Sequence, residues 1–180
     1  MVKEFLIAGF GGQGILLFGQ VLSYAAMLAG KETTWVPSYG PEMRGGTANC
    51  MVVVSGDKIR SPLVYTPDVE VIFNTPSLNR FVGSLREGGT LLLVSDLVED
   101  ENINRKDINV YRVPAKGIAE NMGGAIFLNM VMLGSLIKLE NIVETDHIES
   151  ALKNIIPPHR SHLIEKNTEA IVKGYEYFSN

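Results

Sequence analysis

Three observations predict the fold class. Short apolar runs bounded by glycine or proline alternate with stretches of helical period along the 180 residues. Two of those runs, Val69 to Asn74 and Thr90 to Ser95, are almost continuously apolar, as expected of strands covered on both faces. A glycine-rich turn stands between the first run and the first helical stretch. Together they predict an α/β protein of three layers, a mostly parallel, open, Rossmann-like sheet with an added β-hairpin and C-terminal helices.

The elements follow in order. Glu4 to Ala8 is a short apolar strand, and Gln13 to Ala29, rich in Leu, Ala and Gln, is a helix. Thr33 to Val36 and Thr47 to Ser55 carry the β-branched and aromatic residues of strands. Gly56-Asp57 is a turn signal that predicts a hairpin into Ile59 to Val64. Ser77 to Leu85 can cross over between the two buried strands, and Asn109 to Val113 is the last strand. Gly123 to Ile137 is uncharged and apolar nearly all round, too short to span a bilayer, so it belongs to a core or an interface. Leu163, Ile164, Asn167, Ala170, Ile171, Gly174, Tyr175 and Phe178 recur at the helical period and give the final helix an amphipathic stripe.

Composition narrows the function. Hydrophobic residues at 46% and charged residues at 20% describe a folded chain, and a net charge of −4 without basic clusters argues against nucleic-acid binding. The single cysteine, Cys50, forms no intrachain disulfide and holds no iron–sulfur cluster, and as a small apolar residue it suits a core. Phe5 to Gly30 lacks any charge, but four glycines between positions 9 and 14 break it as a membrane helix. Lys3-Glu4 is a poor start for a signal peptide, so a soluble, cytoplasmic protein is expected.

Gly9-Phe10-Gly11-Gly12-Gln13-Gly14 matches G-x-G-x-x-G after a strand and at a helix start. Such a turn lets the backbone approach an anion, and the helix N-terminus presents free N–H groups to it. A tight structural turn accounts for the same residues. A dinucleotide site also wants an acid at the end of the second strand, and Val36-Pro37-Ser38 supplies neither acid nor arginine.

The stretch Val36-Pro37-Ser38-Tyr39-Gly40-Pro41-Glu42-Met43-Arg44-Gly45-Gly46 is the chain's most irregular, with two prolines and three glycines. It follows the second strand, at the sheet edge where ligands of open α/β folds bind. Arg44 can offer its planar fork to a carboxylate or phosphate, with Glu42 orienting it or meeting a neighbouring chain. A solvated pair worth under about 1 kcal/mol is the equal alternative. His159 and His162 have ligand-like spacing, but no third ligand stands nearby. Asn74-Thr75-Pro76-Ser77 ends a buried strand at the same edge, where helix capping by Ser77 suffices to explain it.

GFGGQG, then PSYGPEMRGGTANC, then SPLV, with Asn167, Ala170 and Gly174-Tyr175 in the last helix, resembles the gamma subunit of 2-oxoacid:ferredoxin oxidoreductases over essentially the whole chain. The form of the second loop is nearest the 2-oxoglutarate branch; pyruvate, branched-chain and indolepyruvate branches are alternatives. The resemblance implies one gamma-type domain over residues 1–180 and a non-autonomous oxidoreductase subunit. Its complexes decarboxylate a 2-oxoacid on thiamine diphosphate, reduce ferredoxin and release an acyl-coenzyme A. It implies no cofactor on this chain alone, with thiamine diphosphate and iron–sulfur clusters on alpha, beta and ferredoxin-like delta partners, and coenzyme A as co-substrate. It also turns Gly9, Gly11, Gly12, Gln13, Gly14, Tyr39, Glu42, Arg44, Gly45 and Gly46 into a candidate shared site, Arg44 being the favoured anion contact. Self-association of the isolated chain stays open, and a freestanding nucleotide- or flavin-binding protein is the competing expectation.

Overall fold

Residues Val2–Phe10 form the first strand, β1, in a computed structural model that describes residues 2–38, 47–101 and 103–179. Helix α1 (Ile15–Leu28) follows the glycine turn and leads to β2 (Glu32–Ser38) and β3 (Thr47–Ser55). β4 (Val69–Ile72), α2 (Thr75–Phe81), β5 (Thr90–Val94), β6 (Asn109–Val113) and α3 (Ala115–Asn121) complete the α/β part. The remainder is helical: α4 (Leu128–Glu140), α5 (Thr145–Ile155) and α6 (Ile164–Tyr177), with 3-10 turns over Ala125–Phe127 and Pro158–Leu163.

The strands make one six-stranded sheet in the order β2-β3-β1-β4-β5-β6. β1, β4, β5 and β6 are parallel neighbours, whereas β3 is antiparallel to both β1 and β2. β2 therefore runs the same way as β1, and β3 alone runs against the rest. The sheet is mostly parallel, as expected.

The hairpin lies elsewhere than the Gly56-Asp57 signal places it. No strand forms over residues 59–64; the antiparallel pair is β2 with β3, in register from Glu32↔Ser55 to Ser38↔Asn49. The reason is edge availability. Both edges of β3 are occupied, one by β1 and one by β2, so the chain after Ser55 has no ladder to join. Ser55 Oγ accepts the Asp57 N–H at 3.0 Å, and Pro62 could not donate to a ladder in any case.

Helices cover both faces. The Phe73 N–H donates to Ala8 O at 2.9 Å, which extends the β4 ladder by one residue, and the Phe73 ring meets Phe18 of α1 edge-on at 6.1 Å. Glu70, an odd number of residues earlier, points to the opposite face and meets Ser84 just beyond α2. Helix α4 is buried from Leu128 through Ile137, so the uncharged segment is core from Phe127 onward, while Gly123, Ala125 and Ile126 at its start are exposed. It crosses α6 at two glycines: a Cβ on Gly134 would strike the Ile171 carbonyl, and one on Gly174 would strike Val131 O. Ser135 Oγ donates to Gly174 O at 2.9 Å across that crossing. Cys50 is buried, its thiol 3.5 Å from Ile15 O and pushed up to about 12 by desolvation. No helix among the described residues is long and apolar enough to cross a membrane.

Candidate functional site

The glycine turn is held shut by one side chain. Gln13 Oε1 accepts the Phe10 N–H at 2.6 Å, and Gln13 Nε2 donates to Phe73 O at 3.3 Å. The carboxyl ends of β1 and β4 are thus tied through a residue that follows the turn. Gly9 is required by this closure, since a Cβ there would stand 2.7 Å from Gln13 Oε1 and 2.8 Å from Phe73 Cβ. Gln13 is a structural clamp, with both ends of its amide spent on the backbone.

Gly14 caps α1 in the left-handed region, φ 75°, which explains why the helix begins two residues later than its composition predicts. Its carbonyl accepts from the Phe18 N–H at 2.9 Å and from Asn129 Nδ2 at 3.1 Å. Because glycine brings no side chain to the cap, the first N–H groups of α1 are left to other partners. Gly12, at φ 97°, has no atom within 4 Å of where its Cβ would stand.

Two clefts flank the turn and share Gly12. The first, about 290 Å³, is lined by Phe10, Gly11, Gly14, Ile15, Leu17 and Ala48 among others. The second, about 260 Å³, lies on the α3 side against Gln13, Leu97, Lys116, Ile126 and Leu128. Gly9 is absent from both linings, packed behind the turn.

Tyr39, Glu42, Arg44, Gly45 and Gly46 lie outside the described residues. The strand ends that flank them are well defined. Thr47 pairs with Phe10, and Ser38 is level with Asn49, which in turn is level with Ala8. Both ends of the second loop therefore stand at the carboxyl edge of β1. Ser38 is two strand spacings, about 10 Å, from the end of β1. The interposed β3 departs from a dinucleotide fold, in which the second strand adjoins the first and presents its acid to the ribose.

The structure adds side chains to this edge that the sequence did not single out. Arg80, from α2, reaches Thr47 Oγ1 at 3.4 Å and lies over the Phe81 ring. Asp96, just after β5, accepts the Gly117 N–H at 2.7 Å and the Lys116 N–H at 3.3 Å, and so fixes the start of α3. Asn74, not Ser77, caps α2: Asn74 Oδ1 accepts the Ser77 N–H at 2.8 Å, and Ser77 itself is buried. His159 and His162 fall in the 3-10 turn Pro158–Leu163, and among the described residues no group of three His, Cys, Asp or Glu could hold a metal ion.

A buried acid was also missed. Glu70 sits in the middle of β4 and burial raises its carboxyl from 4.5 to about 7, with a hydrogen bond from Ser84 and the charge of Arg105 pulling the other way. The one acid within the otherwise apolar run Val69 to Phe73 was the available signal.

The family model for pyruvate ferredoxin/flavodoxin oxidoreductase matches residues 4–177. The chain belongs to this family. Within the pyruvate ferredoxin/flavodoxin oxidoreductase family it is 39% identical over 178 residues to the 2-oxoglutarate synthase subunit KorC of Methanocaldococcus jannaschii, covering 98% of this chain and 94% of that one. It is 47% identical to the ketoisovalerate oxidoreductase subunit VorA of Methanothermobacter marburgensis over 133 residues, 74% of this chain but 27% of that protein.

Among solved structures of the family, the keto/oxoacid ferredoxin oxidoreductase gamma subunit of Geobacter sulfurreducens superposes with a TM-score of 0.82 at 28% identity, covering 97% of this chain and 96% of that one. The 2-oxoglutarate:ferredoxin oxidoreductase of Magnetococcus marinus, solved with 2-oxoglutarate, coenzyme A and succinyl-CoA bound, gives a TM-score of 0.86 at 26% identity over 96% of this chain and 30% of that one. The chain thus corresponds to a complete subunit in some relatives and to part of a longer polypeptide in others. The gamma subunit of such an oxidoreductase, expected from GFGGQG and the loop after β2, is what the Geobacter sulfurreducens chain, matched over nearly its whole length, is.

Proposed function

We propose that this chain is the gamma subunit of a 2-oxoglutarate:ferredoxin oxidoreductase, folded as one domain and active only in complex. The near full-length match to a 2-oxoglutarate synthase subunit carries this reading. The complex would oxidatively decarboxylate the oxoacid on thiamine diphosphate, pass two electrons to ferredoxin, and release the acyl group as its coenzyme A thioester. A single buried cysteine cannot ligate an iron–sulfur cluster, so the clusters belong on cysteine-rich partners, and the thiamine on alpha and beta chains. Such an assembly works in the cytoplasm.

In this reading the chain's own contribution is the carboxyl edge of β1. The glycine turn and the loop 39–46 meet coenzyme A as it approaches the partner's site, with Arg44 contacting an anionic group. The flanking pair Thr47↔Phe10 supports it, because the residue that follows the loop stands directly beside the start of the turn. The wedge of β3 between β1 and β2 speaks against a freestanding dinucleotide-binding protein. The stretch more identical to a ketoisovalerate subunit favours a branched-chain oxoacid as the second substrate reading.

The test is affinity purification of the tagged chain under anaerobic conditions, followed by coenzyme A-dependent viologen reduction with 2-oxoglutarate, pyruvate, 2-oxoisovalerate and indolepyruvate in parallel. Co-purifying larger chains that reduce the dye with 2-oxoglutarate are expected. Activity with 2-oxoisovalerate alone would move the chain to the branched-chain reading, and a chain recovered alone and inactive would end the subunit reading. In the active complex, Arg44→Ala should raise the KM for coenzyme A about tenfold, roughly 1.4 kcal/mol.

A further inference from the structure

Glu70 is a buried ionisable group with no part in the glycine-turn edge. It lies mid-strand on β4, flanked by Leu6 of β1 and Leu91 of β5, with none of its surface exposed. Oε1 meets Ser84 Oγ at 3.0 Å, and Oε2 has no partner among the described residues. The Ser84 hydroxyl has a single proton and a second acceptor within reach, the Phe81 carbonyl at 2.8 Å. A carboxylate here would hold its charge, away from water, on at most one contested hydrogen bond. A carboxyl group that keeps its proton is the form these surroundings fit.

The other charges around it are committed. Arg86 pairs with Asp68 at 2.5 Å and stands 4.0 Å from Glu4. Arg80, on α2, lies over the Phe81 ring and reaches Thr47. Arg105, ahead of β6, is the cation whose charge acts on Glu70. It donates to both carboxylate oxygens of Asp107, at 2.7 and 2.6 Å, and to the carbonyls of Val82 and Leu85, each at 3.1 Å. Glu87, exposed on the same turn, also acts on it. The guanidinium thus clamps the residues that bracket Ser84, while Ser84 itself rests on Glu70.

The two fastenings are coupled through charge. An ionised Glu70 needs a donor at Oε2, and Arg105 is the cation that can supply one. Asp107 is 39% exposed, so water can take the place of the guanidinium there at little cost, whereas buried Glu70 has no such substitute. Drawing Arg105 inward gives up its bonds to Val82 and Leu85.

We propose that Glu70, Arg105 and Asp107 form a proton-operated latch on the turn between α2 and β5. With a proton on Glu70 the guanidinium stays on Asp107 and holds the turn shut; when that proton leaves to solvent, the guanidinium moves to Glu70 and frees the turn. Burial raises the Glu70 carboxyl to about 7, so the latch is shut below neutral pH and open above it. Helix α2 ends in this turn and carries Arg80, so the element secured is the helix that reaches Thr47.

The experiment follows backbone amide exchange and the Arg105 Nε–H resonance in the full chain from pH 5.5 to 8.5, with exchange corrected for its intrinsic pH dependence. The reporters are the Ser84 N–H, bonded to Phe81 O at 2.8 Å, and the Arg86 N–H, bonded to Pro67 O at 3.0 Å. Protection of both is expected to fall about tenfold between pH 6 and 8 while that of β4 and β5 holds. The Nε–H signal, set by Asp107 Oδ1, should shift over the same interval. Glu70→Gln should keep the turn protected throughout, and Asp107→Asn, which weakens the competing partner, should open it at lower pH. Protection that ignores pH in the wild type overturns the latch, as does a fall that Glu70→Gln shares. A fall with an unmoved Nε–H signal, or one that Asp107→Asn leaves at the same pH, means that water enters in place of Arg105 and overturns the exchange. Where Glu70→Gln fails to fold, the wild-type chain decides: a shared midpoint for the Nε–H signal and the Glu70 carboxyl carbon supports the latch, and separate midpoints overturn it.

Discussion

Glu70 makes the protein's stability depend on pH in an unusual direction. The residue is 0% exposed in the central region of the sheet, where Ser84 Oγ donates to Oε1 at 3.0 Å and Oε2 has no hydrogen-bond partner. Arg105, the nearby cation, is already engaged by Asp107 at 2.6 Å and by the carbonyls of Val82 and Leu85, each at 3.1 Å. Desolvation therefore dominates and raises the carboxyl from 4.5 to about 7. The folded state binds the proton more tightly than the unfolded chain. That contribution is fully present below the unfolded value, declines as the pH passes 4.5, and is gone above about 7. At about 1.4 kcal/mol per pH unit of displacement, the loss amounts to about 3 kcal/mol.

The perturbation is Glu70→Gln, which keeps an acceptor for Ser84, fills the same volume and removes the titration. The assay is urea unfolding from pH 4.5 to 8, wild type beside variant, with the difference between the two curves read at each pH. The wild type should lose about 3 kcal/mol relative to the variant across that interval, most of it between pH 5 and 7. Parallel curves would refute the reasoning, because they would mean that Glu70 ionises in the folded protein as readily as in the unfolded chain.

The remaining predictions concern packing and reactivity. Gly14→Ala should cost about 2–3 kcal/mol in urea unfolding, combining a left-handed backbone with displacement of the Asn129 bond; Gly12→Ala, with open space around it, should cost about 1–2, and equal losses would refute the role of Asn129. Gly134→Ala pushes a methyl group into the Ile171 carbonyl where α4 meets α6, so it should destabilise by at least about 1–3 kcal/mol, seen as a fall in thermal midpoint. Cys50, buried with its thiol pushed up to about 12, should resist a thiol reagent at pH 8 in the native chain and react once urea unfolds it.

What could be read from the sequence tracks how local each signal is. The bounds of β3 and β6 follow from runs of β-branched and apolar residues, and the final helix from its stripe. Helix α3 escaped notice because it is seven residues long, contains Gly117 and follows a proline. The expected hairpin after Ser55 failed for a non-local reason: a turn dipeptide makes a hairpin only where the strand it folds back on has a free edge, and β3 has none. Lys116 and Ile126 were invisible for the same cause. More than a hundred residues separate them from Gly12, and only the parallel crossovers bring the end of β5 and the start of α3 beside the turn of β1.

The position of β3 also explains why a glycine fingerprint occurs here without the acid that usually accompanies it. Where a second parallel strand adjoins the first, its carboxyl end stands next to the glycine turn, and an acid there reaches the ribose. In this chain β3 runs antiparallel into that place, so β1 has for a neighbour not a strand end but a strand beginning, Thr47. The displaced β2 ends at Ser38, two strands out, and the chain must return across the gap to reach Thr47. The connection that makes this return has eight residues, 39–46, three of them glycine and one arginine. The same insertion that removes the nucleotide acid places Thr47, the first residue of β3, beside Phe10 at the end of β1. A motif search would count the missing acid as a defect. In the sheet, it is the consequence of one strand's direction.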